Sequence, residues 1–201
     1  MLDNLKPHER RHLRTRQAIL DATRKLLVEK GVNGVSLRAI AREIDYSPAG
    51  LYEYFDGKED IVQAVCKEGH NRLARAMASV DKDQPYPIYM LGIGMSYLEF
   101  ARSNPDYYLL MFTTAPSGNQ LEEFMEEGSS FPILIDSIQQ GIDEGFFDMH
   151  SGGIQAMAMI FWSGVHGLAM LEQTQLKGAD LDFHQMGLAV CNNIFQGLMK
   201  K

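Results

Sequence analysis

The residues with the clearest spacing for a binding function lie between Ser36 and Lys58. Ser36 precedes apolar residues at positions 37, 40, 41 and 44, a spacing that places them on one face of a helix. Ser47 and Pro48 open a second short helix, because serine is a good N-cap and proline is tolerated at the first helical position. Two such helices separated by a tight turn predict a helix-turn-helix, a motif whose second helix enters the major groove of DNA.

Sequence motifs for catalysis or metal binding are absent. The chain has no glycine-rich phosphate loop, no HExxH or GxSxG motif and no paired-carboxylate motif. Its histidines and its two cysteines, Cys66 and Cys191, do not show the spacing of metal ligands. We therefore expect a binding protein without cofactor or metal, and not an enzyme. Turnover of a ligand by the pure protein would revive the enzyme hypothesis.

The charge of the chain is unevenly distributed. The formal net charge of the 201 residues is -7. Residues 1–60 contain 11 basic and 10 acidic residues, whereas residues 61–201 carry a net charge of -8. This pattern suits a protein that contacts nucleic-acid phosphates in one place only. The acidic total leaves room for an alternative, a protein-interaction module derived from a helix-turn-helix that does not bind DNA.

Apolar periodicity predicts helices along the chain and no strand, so we expect an all-α fold. A three-helix, helix-turn-helix DNA-binding domain over residues 1–60 should precede a helical domain over residues 61–201. Residues 1–12 are polar and basic, which predicts either a disordered terminus or an arm on the DNA backbone or minor groove. The predicted helices span 13–30, 37–44, 48–55, 58–79, 88–102, 105–112, 119–127, 132–145, 152–172 and 182–200.

The three N-terminal helices should bury a small core. Gly31 is expected to stop the first helix, because glycine adopts the backbone conformation that ends a helix. The apolar stripes of the three helices then face one another. The expected core residues are Ile19, Ala22, Leu26, Val35, Leu37, Ile40, Ile44, Leu51, Tyr52 and Phe55.

Other features of the sequence are those of a cytoplasmic protein. No apolar segment follows the N-terminus, so we expect no signal peptide. Both cysteines lie in apolar helical patterns, which predicts buried, reduced thiols. The longest apolar stretch, residues 154–171, contains Ser163, His166 and several glycines. It is therefore interpreted as a buried core or interface helix and not as a membrane span.

The stretch from residue 15 to residue 62 resembles the tetracycline-repressor (TetR) family of bacterial transcription regulators. The resemblance lies in RQAILDATRKLLVEKG and VSLRAIAREIDYSPAGLYEYFDGKEDI, where Tyr52, Tyr54 and Phe55 precede the Lys58 that begins the next helix. More weakly, FARSNPDYYLLMF and FWSGVHGLAMLE, the latter with a Trp…His-Gly element, are similar to the C-terminal region of one subgroup of the family.

The resemblance implies roles for residues of the helix-turn-helix. Tyr54 and Lys58 sit where the family usually contacts phosphates, and Ser36 and Arg38 begin the first helix of the motif, where contacts to the DNA backbone are common. The start of the second helix is where members of the family contact the edges of DNA bases. The DNA-binding residues implied in this way are Ser36, Arg38, Ser47, Pro48, Ala49, Gly50, Tyr52, Tyr54 and Lys58.

The residue types of the second helix predict little direct reading of bases. Ala49 and Gly50 are small enough for close approach, and an alanine methyl can touch a thymine methyl. The helix carries no Arg, Asn or Gln, the usual readers of guanine and adenine. Glu53 either faces solvent or accepts a hydrogen bond from a cytosine amino group. We therefore expect DNA shape and backbone contacts to carry much of the selectivity.

For the C-terminal part the resemblance implies an effector cavity and a homodimer. The dimer should form through the last two long helices, since a two-fold dimer places two recognition helices one DNA turn apart on a palindromic operator. The effector should be an apolar or aromatic small molecule, with Glu99 and His166 as candidates for orienting it. The candidate ligand-binding residues are Met95, Glu99, Met111, Phe112, Phe131, Trp162 and His166.

The expected mechanism is a ligand-responsive repressor with two states. Without ligand the dimer holds its recognition helices at the operator spacing, and ligand binding favours a state in which the fourth helix swings and the spacing no longer fits. Two alternatives remain open: the ligand could promote DNA binding, and the protein could be an activator instead of a repressor.

Overall fold

The computed structural model describes residues 6–114, 129–148 and 152–200. Within these ranges the chain forms eight α-helices and two short 3₁₀ helices, and its extended structure is limited to an isolated antiparallel bridge between Phe147 and Met199. The predicted all-α class is confirmed for this part of the chain. The predicted helix over residues 119–127 lies outside the described residues.

The bounds of the helices follow the predicted pattern closely, with most ends within two residues. Two 3₁₀ helices, Val32–Gly34 and Ala49–Glu53, flank the second α-helix. The α-helices are α1 Pro7–Lys30, α2 Leu37–Glu43, α3 Lys58–Ala78, α4 Tyr86–Ser103, α5 Pro105–Thr113, α6 Ser130–Asp143, α7 Gly153–Gln173 and α8 Phe183–Leu198.

The chain divides into two compact units. The first comprises Met1–Gly69 with Leu110–Gly118, and the second comprises His70–Leu109 with Asn119–Lys201. The sequence placed a division at residue 60. The first unit extends further because the opening turns of α3 bury Ile61, which is fully inaccessible to solvent, within it.

The first unit is built by short helices that end at defined caps. Gly31 ends α1 with a φ of +66° and donates its N–H to the carbonyl oxygen of Leu27 at 2.9 Å. Ser36 caps α2 by accepting the N–H of Ala39 at 3.2 Å. Seven of the ten predicted core residues are buried. Leu37 and Ile44 are half-buried. The prediction that Tyr52 is a core residue is wrong, because its side chain is exposed.

The predicted loose arm over residues 1–12 is wrong from Pro7 onward. Pro7 occupies the first position of α1, and Glu9 accepts the N–H of Lys6 at 2.7 Å. Proline at this position has no N–H to leave unpaired, and the Glu9 carboxylate satisfies a donor at the helix start. The basic residues at 10, 11 and 14 are therefore held on a helix. Residues 1–5 lie outside the described part of the chain.

The second unit is a packed group of helices. Helices α4, α7 and α8 pack against one another, and α6 packs against α7. Two glycines allow close approach: a Cβ at Gly94 would lie 2.5 Å from Cys191 Sγ, and one at Gly164 would lie 2.3 Å from Ile194 Cδ1. The predicted buried thiol is confirmed for Cys191, whereas Cys66 is half-buried, and both are free.

Helix α7 is long and apolar enough to cross a membrane by length and hydropathy. Its contacts with three neighbouring helices are instead those of a helix in a folded core. On its other side α7 exposes three large apolar side chains, Met159, Ile160 and Leu171.

Candidate nucleic-acid interface and interior cavity

The helix-turn-helix pairs α2 with a 3₁₀ helix in place of the predicted second α-helix. Ser47 Oγ accepts the Gly50 N–H at 3.0 Å, and the Tyr54 N–H bonds the carbonyl oxygen of Leu51 three residues earlier. Bonds spanning three residues are those of a 3₁₀ helix, and the element ends after five residues. The order of helix, turn and helix is as predicted, but the second element is tighter and shorter.

The 3₁₀ helix buries one side and presents the other. Leu51 and Phe55 are buried in the first unit, at 0% and 5% exposure. Tyr52 between them is 60% exposed, which is unusual for a large aromatic side chain. Of the predicted DNA-binding residues, three are half-buried: Gly50, Tyr54 and Lys58. The exposed ones are Ser36, Arg38, Ser47, Pro48, Ala49 and Tyr52.

Aromatic rings connect the 3₁₀ helix with the start of α1. The imidazole of His12 stacks on Tyr54 with ring centroids 4.6 Å apart, and Tyr46 meets Tyr54 edge-on at 6.2 Å. Tyr46 also covers Gly50, where a Cβ would lie 2.6 Å from the tyrosine ring. The hydrogen bond with Tyr54 raises the pKa of Tyr46. Sequence reasoning missed His12, because it lies in the segment predicted to be a loose arm.

Lys58 has a structural contact in addition to its predicted role. Its Nζ donates to the carbonyl oxygen of Val32 at 2.9 Å, so it ties the start of α3 to the turn before α2. An ammonium group carries three donors, so this contact leaves capacity for a phosphate. The DNA contacts of Lys58 and of the other residues of this surface stay predictions.

A cavity lies among helices of the second unit. It is partly open, and about 380 Å³ of non-atom space lies in and around it, including open solvent. The lining residues that the structure describes are apolar apart from Ser130, the hydroxyl of Tyr97 and the indole N–H of Trp162. They are Met77, Met90, Ile93, Gly94, Tyr97, Ser130, Phe131, Leu134, Phe161, Trp162 and Val165.

The structure brings some predicted ligand-binding residues to this cavity and not others. Phe131 and Trp162 line it, and His166 lies behind Tyr97. Met111 and Phe112 belong to the first unit and are not among the described lining residues. The lining residues that sequence reasoning missed, such as Ile93 and Leu134, recur with helical period on α4 and α6.

Met95 and Glu99 face away from the cavity. The side chain of Met95 lies near Gly187 of α8, and Glu99 is exposed, where it accepts from Arg102 Nη1 at 3.0 Å. The reason is their position around α4. The residues at positions 90, 93, 94 and 97 lie on the side of the helix that lines the cavity, and positions 95 and 99 lie on other sides.

A hydrogen-bonded network of rings closes one side of the cavity. The hydroxyls of Tyr97 and Tyr108 lie 2.9 and 2.8 Å from Nδ1 of His166. The indole N–H of Trp162 donates to the Tyr97 hydroxyl at 3.2 Å. Tyr108 was missed by sequence reasoning, since nothing in the spacing of α5 indicates a partner on α7.

Burial keeps this network uncharged. It lowers the pKa of His166 below the usual 6.5, and it raises the pKa of Tyr97 to about 12. The pKa of Tyr108 is also raised, first by burial. The network at neutral pH therefore consists of a neutral imidazole, an indole and two phenols. Among the described residues, no group of three or more His, Cys, Asp or Glu side chains could hold a metal ion.

Acid should destabilise the protein through His166. Because its pKa in the folded chain is lower than the unfolded value of 6.5, the unfolded chain binds more protons as pH falls below that value. The stability is thus present at neutral pH and is lost on acidification. Urea unfolding at fixed protein concentration between about pH 5.5 and pH 8 should show this loss.

A histidine variant gives the control for this pH dependence. His166→Gln should flatten the pH profile but not abolish its slope, because burial also lowers the pKa of His70. An unchanged profile in the variant would show that His166 does not contribute.

The fold and these surfaces define a helix-turn-helix protein with an all-helical second part. Two family descriptions match its sequence: "Bacterial regulatory proteins, tetR family" over residues 19–65, and "Tetracyclin repressor-like, C-terminal domain" over residues 90–186. The chain belongs to the tetracycline-repressor (TetR) family of bacterial regulatory proteins.

Two curated relatives each match over less than half of the chain. The uncharacterized HTH-type transcriptional regulator YobS of Bacillus subtilis is 32% identical over 94 residues, 47% of this chain and 49% of YobS. The HTH-type transcriptional regulator UidR of Escherichia coli is 38% identical over 76 residues, 37% of each chain. The matches thus span about half of YobS and less of UidR.

Solved structures match over almost the whole chain. A putative TetR-family transcriptional regulator from Vibrio parahaemolyticus has a TM-score of 0.74 at 22% identity, and the match covers 92% of this chain and 99% of that one. At this identity the similarity shows the shared fold.

Proposed function

We propose that this protein is a cytoplasmic, ligand-responsive transcriptional repressor that binds a palindromic operator as a homodimer. The observation that supports DNA binding most directly is the division of the 3₁₀ helix into a buried and a presented side. Leu51 in the helix and Phe55 just after it are buried in the first unit. Tyr52 is 60% exposed, so its side chain is available to contact DNA.

The helix-turn-helix surface would bind DNA mostly through shape and backbone contacts. Pro48, Ala49 and Tyr52 are exposed where base edges would be met, and none of them offers a two-donor contact to guanine or adenine. Ser36 and Arg38 at the start of α2 would contact phosphates. The exposed Arg11 and Arg14 on the first turns of α1 supply positive charge in the same unit.

Dimerisation would use the side of α7 and α8 that the chain leaves exposed, here called the α7–α8 face. Neither helix has an Asp, Glu, Lys or Arg from Gly153 to Leu171 or from Phe183 to Met199. The face nevertheless exposes large apolar side chains, among them Met159, Ile160, Leu171 and Met186. Depletion of charge together with exposed apolar side chains is the composition of an interface core.

The dimer gives the DNA surface its affinity. A single five-residue 3₁₀ helix with its neighbours offers few contacts, and a two-fold dimer doubles them on a palindrome with half-sites about 34 Å apart. The occupant of the α7–α8 face is therefore a second copy of this chain.

The cavity would hold the effector. Its walls are mostly apolar and aromatic, which suits an apolar or aromatic ligand. Met77 in the last turns of α3 lines the cavity, and α3 is one helix that begins at Lys58, directly after the helix-turn-helix. A ligand that favours a displaced α3 would lower the population of the DNA-binding state.

Fluorescence anisotropy tests the proposal with the DNA upstream of this protein's own gene and a random duplex of equal length. The upstream DNA should bind at least about 1000-fold tighter, with affinity that falls steeply as salt is raised. Equal binding of both duplexes would contradict an operator in that region. No binding of either at any salt concentration would favour the protein-interaction module, which the net charge of -7 also suits.

A further inference from the structure

We infer that His12 is a positioning residue of the DNA surface: its imidazole stacks on Tyr54 and holds that ring in one orientation, so that the Tyr54 hydroxyl is already ordered when it meets a DNA phosphate. The inference rests on the proposed function, because it adds a residue to the surface that would bind DNA. It assigns a role to the start of α1, which lies outside the helix-turn-helix.

Helix α1 contacts the end of the 3₁₀ helix through two side chains one turn apart. His12 stacks on Tyr54 with ring centroids 4.6 Å apart and ring planes inclined by 30°. Arg16 lies over the ring of Phe55, with its guanidinium carbon 4.8 Å from the ring centroid. Residues four apart share one face of a helix, so a single face of α1 holds two consecutive residues. The stack is therefore part of a two-point contact between these elements.

A third ring holds Tyr54 from another direction. Tyr46 meets Tyr54 edge-on, with ring centroids 6.2 Å apart. The hydrogen bond between the two side chains raises the pKa of Tyr46, as it does when Tyr46 is the donor. A phenol that accepts a hydrogen bond can still donate its own proton. The Tyr54 hydroxyl can therefore accept from Tyr46 and donate to a phosphate at the same time.

The three stacked and edge-on rings lie at the surface of the first unit. His12 is exposed, Tyr46 is 39% exposed and Tyr54 is half-buried, whereas the neighbouring Phe55 is buried. A contiguous group of aromatic side chains at a surface is typical of a binding site. We therefore expect the stack to serve binding more than folding.

A side chain that is already fixed binds better than a mobile one. An unrestrained surface side chain loses its conformational freedom when it binds, and this cost lowers the affinity. With Tyr54 held by His12 and Tyr46 in the free protein, less freedom remains to be lost on the DNA. His12→Ala should therefore weaken operator binding about fourfold, a factor of about two for each half-site of a dimer.

A double-mutant cycle of His12→Ala and Tyr54→Phe tests whether His12 acts through Tyr54. Tyr54→Phe keeps the ring and removes the hydroxyl, so it should weaken operator binding at least about fivefold, since a dimer loses two hydrogen bonds. In this background no hydroxyl is left to position, and His12→Ala should cost less than about twofold more. Fluorescence anisotropy on the full protein measures the affinities of all four proteins.

The stability of the same four proteins distinguishes positioning from a structural role. The stack needs only the ring, which Tyr54→Phe keeps. The loss in free energy of unfolding on His12→Ala should therefore be equal with and without Tyr54→Phe, as urea unfolding would show. Losses of DNA affinity that do not add, beside losses of stability that do, are the expected result.

Two further variants provide a rescue and a matched control. His12→Phe retains a ring that can stack, and it should bind the operator within about twofold of the unaltered protein. Leu13 is the next residue on α1, is 43% exposed and points about 100° away from His12 around the helix. Leu13→Ala should leave operator affinity unchanged. If His12→Ala does not fold, His12→Gln, which also has no ring, replaces it in the cycle.

Three results would overturn the inference. Equal losses of affinity from His12→Ala with and without Tyr54→Phe would show that His12 acts independently of the Tyr54 hydroxyl. A loss in His12→Phe as large as that in His12→Ala would show that the imidazole itself contacts DNA. Unchanged affinity in His12→Ala would show that the stack does not contribute.

These results are separable from a failure of the proposed function. If the upstream DNA contains no operator, the same cycle on a random duplex at low salt still tests the phosphate contact, which does not depend on sequence. No binding of any duplex by the unaltered protein would contradict the proposed function and this inference together. Binding with fully additive losses would contradict this inference alone.

Discussion

Tyr52→Ala should weaken operator binding at least about fivefold while leaving the free energy of unfolding nearly unchanged. A single neutral hydrogen bond contributes about 0.5–1.5 kcal/mol, and a dimer loses two of them. The stability should change little because the side chain is 60% exposed. Anisotropy with the operator and urea unfolding measure the two quantities.

Two further variants show what Tyr52 contributes. Tyr52→Phe keeps the ring and should retain most of the affinity if the ring packs on the DNA, but should lose it if the hydroxyl is the contact. Val28→Ala removes an apolar side chain that is 50% exposed on α1, and it should leave operator binding unchanged. Equal affinities for Tyr52→Ala and the unaltered protein would place the DNA surface elsewhere.

Much of the helical architecture was predictable because it depends on local signals. Gly31, Ser36 and Pro105 mark helix ends by backbone chemistry that acts within a few residues. The buried stripes of α1 and α2 follow from helical period alone. The same local signals at Lys6–Glu9 were present but were outweighed by the polar composition of the segment, so the start of α1 was placed six residues late.

The candidate cavity was less predictable because it depends on helix phase and on distant partners. Phe131 and Trp162 were identified from residue type, but type does not tell on which side of a helix a residue lies. Met95 and Glu99 therefore stood beside them as candidates although they face away from the cavity. The contact of Tyr108 with His166 joins residues 58 positions apart, and no local pattern indicates such a pair.

The α7–α8 face should be as necessary for operator binding as the helix-turn-helix itself. Ile160→Glu places a charge on this face, at a side chain that is 46% exposed in the single chain. In the chain alone the glutamate would be hydrated, so folding should be largely retained. In a dimer it would be buried without a partner, which costs several kcal/mol and should shift the protein to the monomer mass of 22.6 kDa in sedimentation equilibrium.

Operator affinity should fall with the dimer. Joining two DNA-binding surfaces gains about 100- to 10,000-fold over one surface, so Ile160→Glu should lose at least about 100-fold at protein concentrations where it is monomeric. Ile88→Glu is the matched control, since Ile88 is 54% exposed on α4 and outside the α7–α8 face. It should remain dimeric and bind the operator normally. If Ile88→Glu dissociates the dimer and Ile160→Glu does not, the interface lies on α4, and the absence of charge from α7 and α8 needs another explanation.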